Sequence, residues 1–188
     1  MGPSAVKGPI PPWHQFRDFL DPLDHAALLD WTLSNRGRFK PSGVIGGVDV
    51  RRRFSGVLSD LGPLHKVIEE RVRTALPQIF SHTGGRPFDV EHVELELAAH
   101  GEGAFFVRHV DIPVGRDRKP LGGDTSGTQD RLVSAVYYYH RDPKGFSGGA
   151  LRLHRFAGCG DPGEFVDVEP EQNSLVVFPS GWSTKCCG

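Results

Sequence analysis

A β-sandwich or jelly roll carried on supporting helices, an α+β arrangement of mostly strands, is the fold class this sequence predicts, and three observations predict it. Two segments with apolar residues at helical spacing come first. From position 88 onward the apolar period changes to two. The later segments are short and separated by glycine-rich turns such as "GFSGG" and "GCGDPG". At 188 residues and 38% hydrophobic content, the chain supports one well-buried domain and is too short for two comfortable ones.

Taken in order, the Pro/Gly-rich residues 1–12 read as a flexible arm, and 13–188 as the single domain, with helical support over 13–87 and strands over 88–180. Asp21 before Pro22 forms an N-cap and first-turn pair. Leu23, Ala26, Ala27 and Trp31 then recur at helical spacing until Ser34 and Asn35. A second stripe runs through Leu64, Val67, Ile68, Val72, Ala75 and Leu76 and should stop at Pro77. Strands are expected at Val93–Ala99, Phe105–Asp111, Arg131–His140, Ala150–Phe156, Glu164–Val168 and Ser174–Phe178. The last eight residues, "GWSTKCCG", form an atypical tail.

Charge and cysteine content exclude several classes. Lys+Arg (22) and Asp+Glu (23) balance to a formal net charge of −1, which leaves no basic footprint for nucleic acid. The run Arg51, Arg52, Arg53 reads as a solvated edge, with phosphate binding as the alternative. No apolar stretch reaches the roughly 18 residues that span a bilayer, and the N-terminus lacks a signal-peptide core, so a cytoplasmic location is the expectation. Cys159, Cys186 and Cys187 build no disulfide framework and no CxxC zinc spacing.

The stretch "FFVRHVDIPVG" carries the candidate chemistry. Alternation puts Phe105, Val107, His109 and Asp111 on one face, with Phe106, Arg108 and Val110 on the other. An imidazole and a carboxylate side by side at the end of an apolar row are either a hydrogen-bonded structural couple or a pair of metal ligands. The following polar segment, "PVGRDRKPLGGDTSGTQD", is long and glycine-rich, and reads as a mobile flap beside that site.

"HVD", then "DRLVSAVYYYHRDPKGFSGGALRL", then "VDVEPEQNSLVVFPS" together resemble the catalytic domain of iron(II)/2-oxoglutarate-dependent dioxygenases of the prolyl 4-hydroxylase type, over Val90 to Ser180. The resemblance implies a double-stranded β-helix core and a 2-His-1-carboxylate facial triad holding Fe(II), with positions left for bidentate 2-oxoglutarate and dioxygen. It implies a hydroxylase acting on a protein side chain or small molecule, with ascorbate as an accessory reductant, while the balanced charge and lack of apolar spans already argue against nucleic acid or membrane as partner. His109 and Asp111 carry over as two iron ligands. Tyr138 matches a tyrosine that binds the distal carboxylate of 2-oxoglutarate, against a plain reading as aromatic packing. Arg152 offers a bidentate fork to the same co-substrate, against a plain reading as an exposed strand arginine. His140 and His154 read as hydrogen-bonded neighbours on their strands.

The tail departs from that pattern. Thr184 stands where the distal histidine belongs, and threonine cannot replace an imidazole lone pair on iron. Neither that histidine nor the arginine clamping 2-oxoglutarate is found in "GWSTKCCG". The core is therefore expected to be incomplete at its C-terminal end, through truncation, a frame shift or genuine degeneracy, with the strands around Val107 short of partners. Cys186 and Cys187 are capable ligands in type but poorly placed to chelate with His109. The alternative function is a non-catalytic binding protein on the same scaffold.

Overall fold

The computed structural model of the protein describes residues 10–44, 47–87, 89–112, 131–155, 164–181 and 183–186. The flap read at 113–130, most of the arm at 1–12, Cys159 and Cys187 lie outside the described residues.

Two α-helices, a short 3-10 helix (Arg36–Arg38) and three sheets make up the described structure. Helix α1 (Pro22–Ser34) opens as its sequence dictates, the Asp21 carboxylate accepting from the Leu23 amide at 2.9 Å with Pro22 in the first turn. Its buried face differs from the expected one: Leu23 is exposed, and His25 and Leu28 are buried instead. The reason is polar. His25 and Thr32 meet tyrosine hydroxyls of the sheet, so the stripe that faces inward includes hydrogen-bonding residues that a hydrophobicity pattern passes over.

Helix α2 runs Leu64–Thr83, six residues past the stop expected at Pro77. A proline inside a helix costs about 3 kcal/mol. The turn beyond it buries Ile79 and Phe80, each contributing about 1.5 to 3 kcal/mol, which is enough to carry the helix through. Gly84, in the left-handed conformation at φ 70°, ends it by returning its amide to the Phe80 carbonyl.

The first sheet has the order β1 (His14–Phe16), β10 (Ser174–Pro179), β7 (Val133–Tyr138). Alternation along β10 divides the interior in two. Leu175 and Val177 pack on the helices with Leu28, Ile68 and Ile79, while Val176 and Phe178 pack on the second sheet with Leu151, Leu153 and Val168. That second sheet has the order β3 (Arg53–Phe54), β6 (Phe105–Val110), β11 (Ser183–Cys186), β8 (Leu151–His154), β9 (Phe165–Val168). A small third sheet joins β2 (Lys40–Pro41), β4 (Gly56–Leu58) and β5 (Leu97–Ala99). The strand expected at Val93–Ala99 is thus shorter than its pattern. The carbonyls of Val90 and Glu91, just before it, are taken by the Arg73 guanidinium rather than by a neighbouring strand.

Strand β11 overturns the expectation of an unpartnered core. It lies antiparallel between β6 and β8, so the residues read as an atypical tail fill the gap that was expected to expose β6. Backbone groups supply this pairing whatever the side chains are, which is why an unfamiliar sequence still completes the ladder.

A polar clasp fixes α1 to the first sheet. His25 Nδ1 donates to the Tyr137 hydroxyl at 2.7 Å, and Tyr137 donates to Asn173 Oδ1 at 2.7 Å. Asn173 exchanges bonds with both backbone groups of Leu20. Burial pulls the His25 pKa below its ordinary 6.5, with the charge of His140 acting in the same direction. Because the folded state holds this histidine neutral, its contribution is complete above pH 6.5. It is lost as pH falls from 6.5 through the lowered folded value, where the unfolded chain binds the extra proton. Urea unfolding between about pH 8 and about pH 5 should therefore show acid destabilisation that His25→Gln flattens. Equal pH slopes in the two proteins would mean that the clasp does not titrate.

Candidate metal centre

The expected alternation along β6 is broken, and the break builds the site. Thr184 of β11 faces His109, and Cys186 faces Phe106, so Val107 and Arg108 oppose the single residue Lys185. This is a β-bulge on β6. It brings Phe106 to the same face as His109, where regular alternation would have separated them, and their rings stack at 3.4 Å between centroids with an interplanar angle of 16°. The Arg53 guanidinium lies over the Phe106 ring at 4.9 Å. The imidazole plane of His109 is held by that stack and by its own Nδ1, 2.8 Å from the Val107 carbonyl. A nitrogen facing a carbonyl must carry the proton, so Nδ1 is N–H and Nε2 is the atom turned to the site.

Around Nε2 two oxygens gather. Asp111 Oδ1 lies 3.1 Å away and Thr184 Oγ1 3.3 Å away. Asp111 sits just beyond the end of β6, where its carboxylate turns back toward His109. Arg131 fixes the turn, one guanidinium nitrogen reaching the Asp111 carbonyl at 3.4 Å while the others bind Glu94. Burial works against ionisation of Asp111, yet hydrogen bonds from His109 and Ser134, aided by the charges of His109 and Arg131, outweigh it and hold the carboxyl below its usual range. Ser134 Oγ is in turn 2.9 Å from the Oγ of Ser180, which is completely buried.

Two donors about 2.1 Å from one cation and at right angles to each other lie about 3.0 Å apart. The separation of Nε2 and Oδ1 matches that spacing, so His109 and Asp111 fit as neighbouring ligands of one ion. Among the described residues no third His, Cys, Asp or Glu joins them. The position opposite His109 belongs to Thr184.

The other two candidates part company. Tyr138 stands on the inner face of β7 with Val136, against Leu151, Leu153 and Phe178, whereas Tyr137 and Tyr139 pack toward the helices. Arg152 pairs across to Lys185, one step out of phase with Leu153 and Thr184, and so lies on the outer face of its sheet. Its guanidinium grips the Asp167 carboxylate through two bonds of 2.7 and 2.8 Å and covers the Phe165 ring at 3.6 Å. The structure does not bring it to His109. His140 is bonded as expected, its ring nitrogens facing the carbonyls of Arg141 and Pro170. Sequence reasoning missed Ser134, Ser180 and Phe106. The period of two that runs from Tyr138 back through Val136 to Ser134 contains a signal for the first, and the bulge that recruits Phe106 left none.

Residues 95–185 match the 2OG-Fe(II) oxygenase superfamily. The chain is 26% identical over 171 residues to an uncharacterized PKHD-type hydroxylase of Synechocystis, covering 88% of this chain and 53% of that protein, so it spans about half the length of this curated relative. Among solved structures, a prolyl-4-hydroxylase of Pseudomonas putida superposes with a TM-score of 0.68 at 25% identity, over 94% of this chain and 85% of that one. A Trichoplax adhaerens prolyl hydroxylase, solved with a peptide fragment of hypoxia inducible factor, shares the fold at TM-score 0.68 and 18% identity, over 94% and 77% of the two chains.

Ser134→Ala removes one of the donors that hold Asp111 ionised, and should raise the pKa of that carboxyl, read by carboxyl-carbon NMR through a pH titration. A titration curve superimposable on the parent's would show that Ser134 is only a neighbour.

Proposed function

We propose, from the match of residues 95–185 to the 2OG-Fe(II) oxygenase superfamily and the likeness to prolyl hydroxylases, that the chain belongs to an oxidoreductase that hydroxylates a protein side chain or small molecule at a centre built on His109 and Asp111. The 3.1 Å approach of His109 Nε2 to Asp111 Oδ1, with Nδ1 tied to a carbonyl, is the observation that carries this reading. A protein side chain is the favoured substrate, since the Pseudomonas and Trichoplax proteins are prolyl hydroxylases and the second was solved with a peptide.

When bound, Fe(II) with 2-oxoglutarate and dioxygen supplies the oxidative decarboxylation that drives C–H hydroxylation. The chain's own residues supply position. His109, its Nδ1 tied to the Val107 carbonyl, presents Nε2 as the ring atom that would meet the ion once its proton is displaced. Asp111 is kept ionised by Ser134 and oriented by Arg131. Tyr138, on the inner face between the sheets, is placed in this proposal as the hydroxyl that binds the distal carboxylate of 2-oxoglutarate, with Leu153 and Phe178 excluding water beside it. Arg152 is committed to Asp167 and is left out of that role. No helix among the described residues is long and apolar enough to cross a membrane. A reducing cytoplasmic setting, with ascorbate keeping the iron ferrous, completes the proposal.

Thr184 limits the centre. Two protein ligands supply part of a facial triad, so Fe(II) binding should be weak and 2-oxoglutarate turnover absent. The same residue underlies the second reading, a non-catalytic binding protein on this scaffold. Purified protein with iron, 2-oxoglutarate and ascorbate should release no succinate above a no-protein control, and Thr184→His should restore release that His109→Ala in the same background abolishes. Succinate from the parent chain that disappears in His109→Ala would show the centre complete as it stands. Silence from the Thr184→His protein, if folded and iron-loaded, would favour the binding reading.

A further inference from the structure

We propose that Thr184 is itself the third donor of the His109–Asp111 centre, which makes it a cation site of one imidazole nitrogen and two oxygens, tuned toward a hard divalent ion such as manganese(II). This rests on the reading of His109 and Asp111 as ligands and adds a residue that nothing about the family supplies. Three observations converge on it. Thr184 is the direct cross-strand partner of His109, so its side chain leaves the sheet on the same face. Its Oγ1 lies 3.3 Å from Nε2, and Asp111 Oδ1 lies 3.1 Å from the same atom, both close to the separation of adjacent ligands on one ion. The residue is buried, with 1% exposure, although its side chain carries a hydroxyl, and its cross-strand partner on β8 is the apolar Leu153.

The hydroxyl has a definite task without a cation. Nε2 also faces the ionised Asp111 carboxylate, which can only accept, so without a cation Nε2 carries a proton as well and Thr184 Oγ1 stands as a second acceptor beside it. A buried hydroxyl left without a partner is costly, and this contact spares Thr184 that cost in the absence of a cation. A cation would displace the Nε2 proton to solvent and take its place between Nε2, Asp111 Oδ1 and the Thr184 lone pair already turned inward, with no movement of the backbone. The bulge on β6 sits directly beside this residue pair in the ladder, a place where such irregularities re-aim a side chain.

Donor chemistry sets the preference. A second imidazole at this position would favour iron, zinc or cobalt, whereas a neutral alcohol beside a carboxylate suits manganese and magnesium. The hydroxyl is a poor replacement on iron for the same reason that it is an acceptable donor to a harder ion. Selectivity, and not occupancy alone, is what this residue decides.

The test is metal titration of the folded chain, with free Mn(II) followed by electron paramagnetic resonance and Co(II) by its visible absorption. Thr184→Val, which keeps the shape and loses the oxygen, should weaken Mn(II) binding by about 10-fold or more. Thr184→Ser, which keeps the oxygen, should stay within about 3-fold of the parent, and Thr184→His should raise Co(II) affinity more than Mn(II) affinity. Circular dichroism melts of each variant establish that the fold is intact. Parent-like Mn(II) binding by a folded Thr184→Val protein overturns the proposal while leaving His109 and Asp111 in place. Equal Mn(II) affinity in the parent and His109→Ala, or none in the parent, overturns the ligand reading beneath it as well.

Discussion

Strand β11, hydrogen-bonded on both sides between β6 and β8, is the constraint from which the rest of the centre follows. Without it both neighbours would present rows of unpaired amides and carbonyls in the middle of a sheet, and a handful of such losses would exceed the 5 to 15 kcal/mol that typically holds a domain together. Its register is equally consequential. Thr184 opposite both His109 and Leu153 puts one hydroxyl between a candidate ligand and the apolar core. A slip of one residue would remove Thr184 from the centre. The two-against-one count of the bulge is absorbed within this same ladder, on β6. That lets Phe106 and His109 stack while the outer end of the strand keeps its pairing to β3.

Support for that ladder comes from the opposite side of the molecule. The first sheet is sandwiched, with the helices on one face through Leu175 and Val177 and the second sheet on the other through Val176 and Phe178. Tyrosines 137, 138 and 139 divide along the same alternation. Tyr137 and Tyr139 stack on each other at 5.7 Å and bond His25 and Thr32 of α1, while Tyr138 faces the interior between the sheets. Burial raises the hydroxyl pKa of both Tyr137 and Tyr139, so they remain neutral donors and acceptors at any physiological pH. A polar clasp of this kind fixes the angle at which α1 meets the sheet, which a purely apolar contact would leave free to slide, although His25 Nε2 is itself buried without a partner among the described residues.

How much of this could be read from residues alone varies with the physics involved. The start of α1 was legible because Asp21 and Pro22 act locally. The six strands expected from Val93 onward were legible because period-two alternation is local as well, although the first, third and fourth proved shorter than expected. His109 and Asp111 were legible as a pair through their spacing and the motifs around them. Pro77 misled because tertiary burial of Ile79 and Phe80 outweighed a local rule. The tail misled more deeply. "GWSTKCCG" lacks the side chains expected of a terminal core strand, yet pairing is a property of the backbone, and residues 183–186 take the place that their sequence did not advertise. The bulge on β6 was invisible for a related reason: it is defined by register against β11, a strand more than 70 positions away. Arg152 had the right chemistry for a carboxylate, and its partner proved to be Asp167 on the adjoining strand.

The central claim is that His109, Asp111 and Thr184 surround one cation. Crystals soaked in Mn(II) and measured at the manganese absorption edge address it most directly, since anomalous scattering locates the ion without reference to activity. The account predicts a single peak about 2.1 to 2.3 Å from His109 Nε2 and from one Asp111 carboxylate oxygen, with Thr184 Oγ1 as the third protein atom in contact. A fully formed His109–Asp111–Thr184 cluster with no peak, or with the ion bound elsewhere, would contradict it.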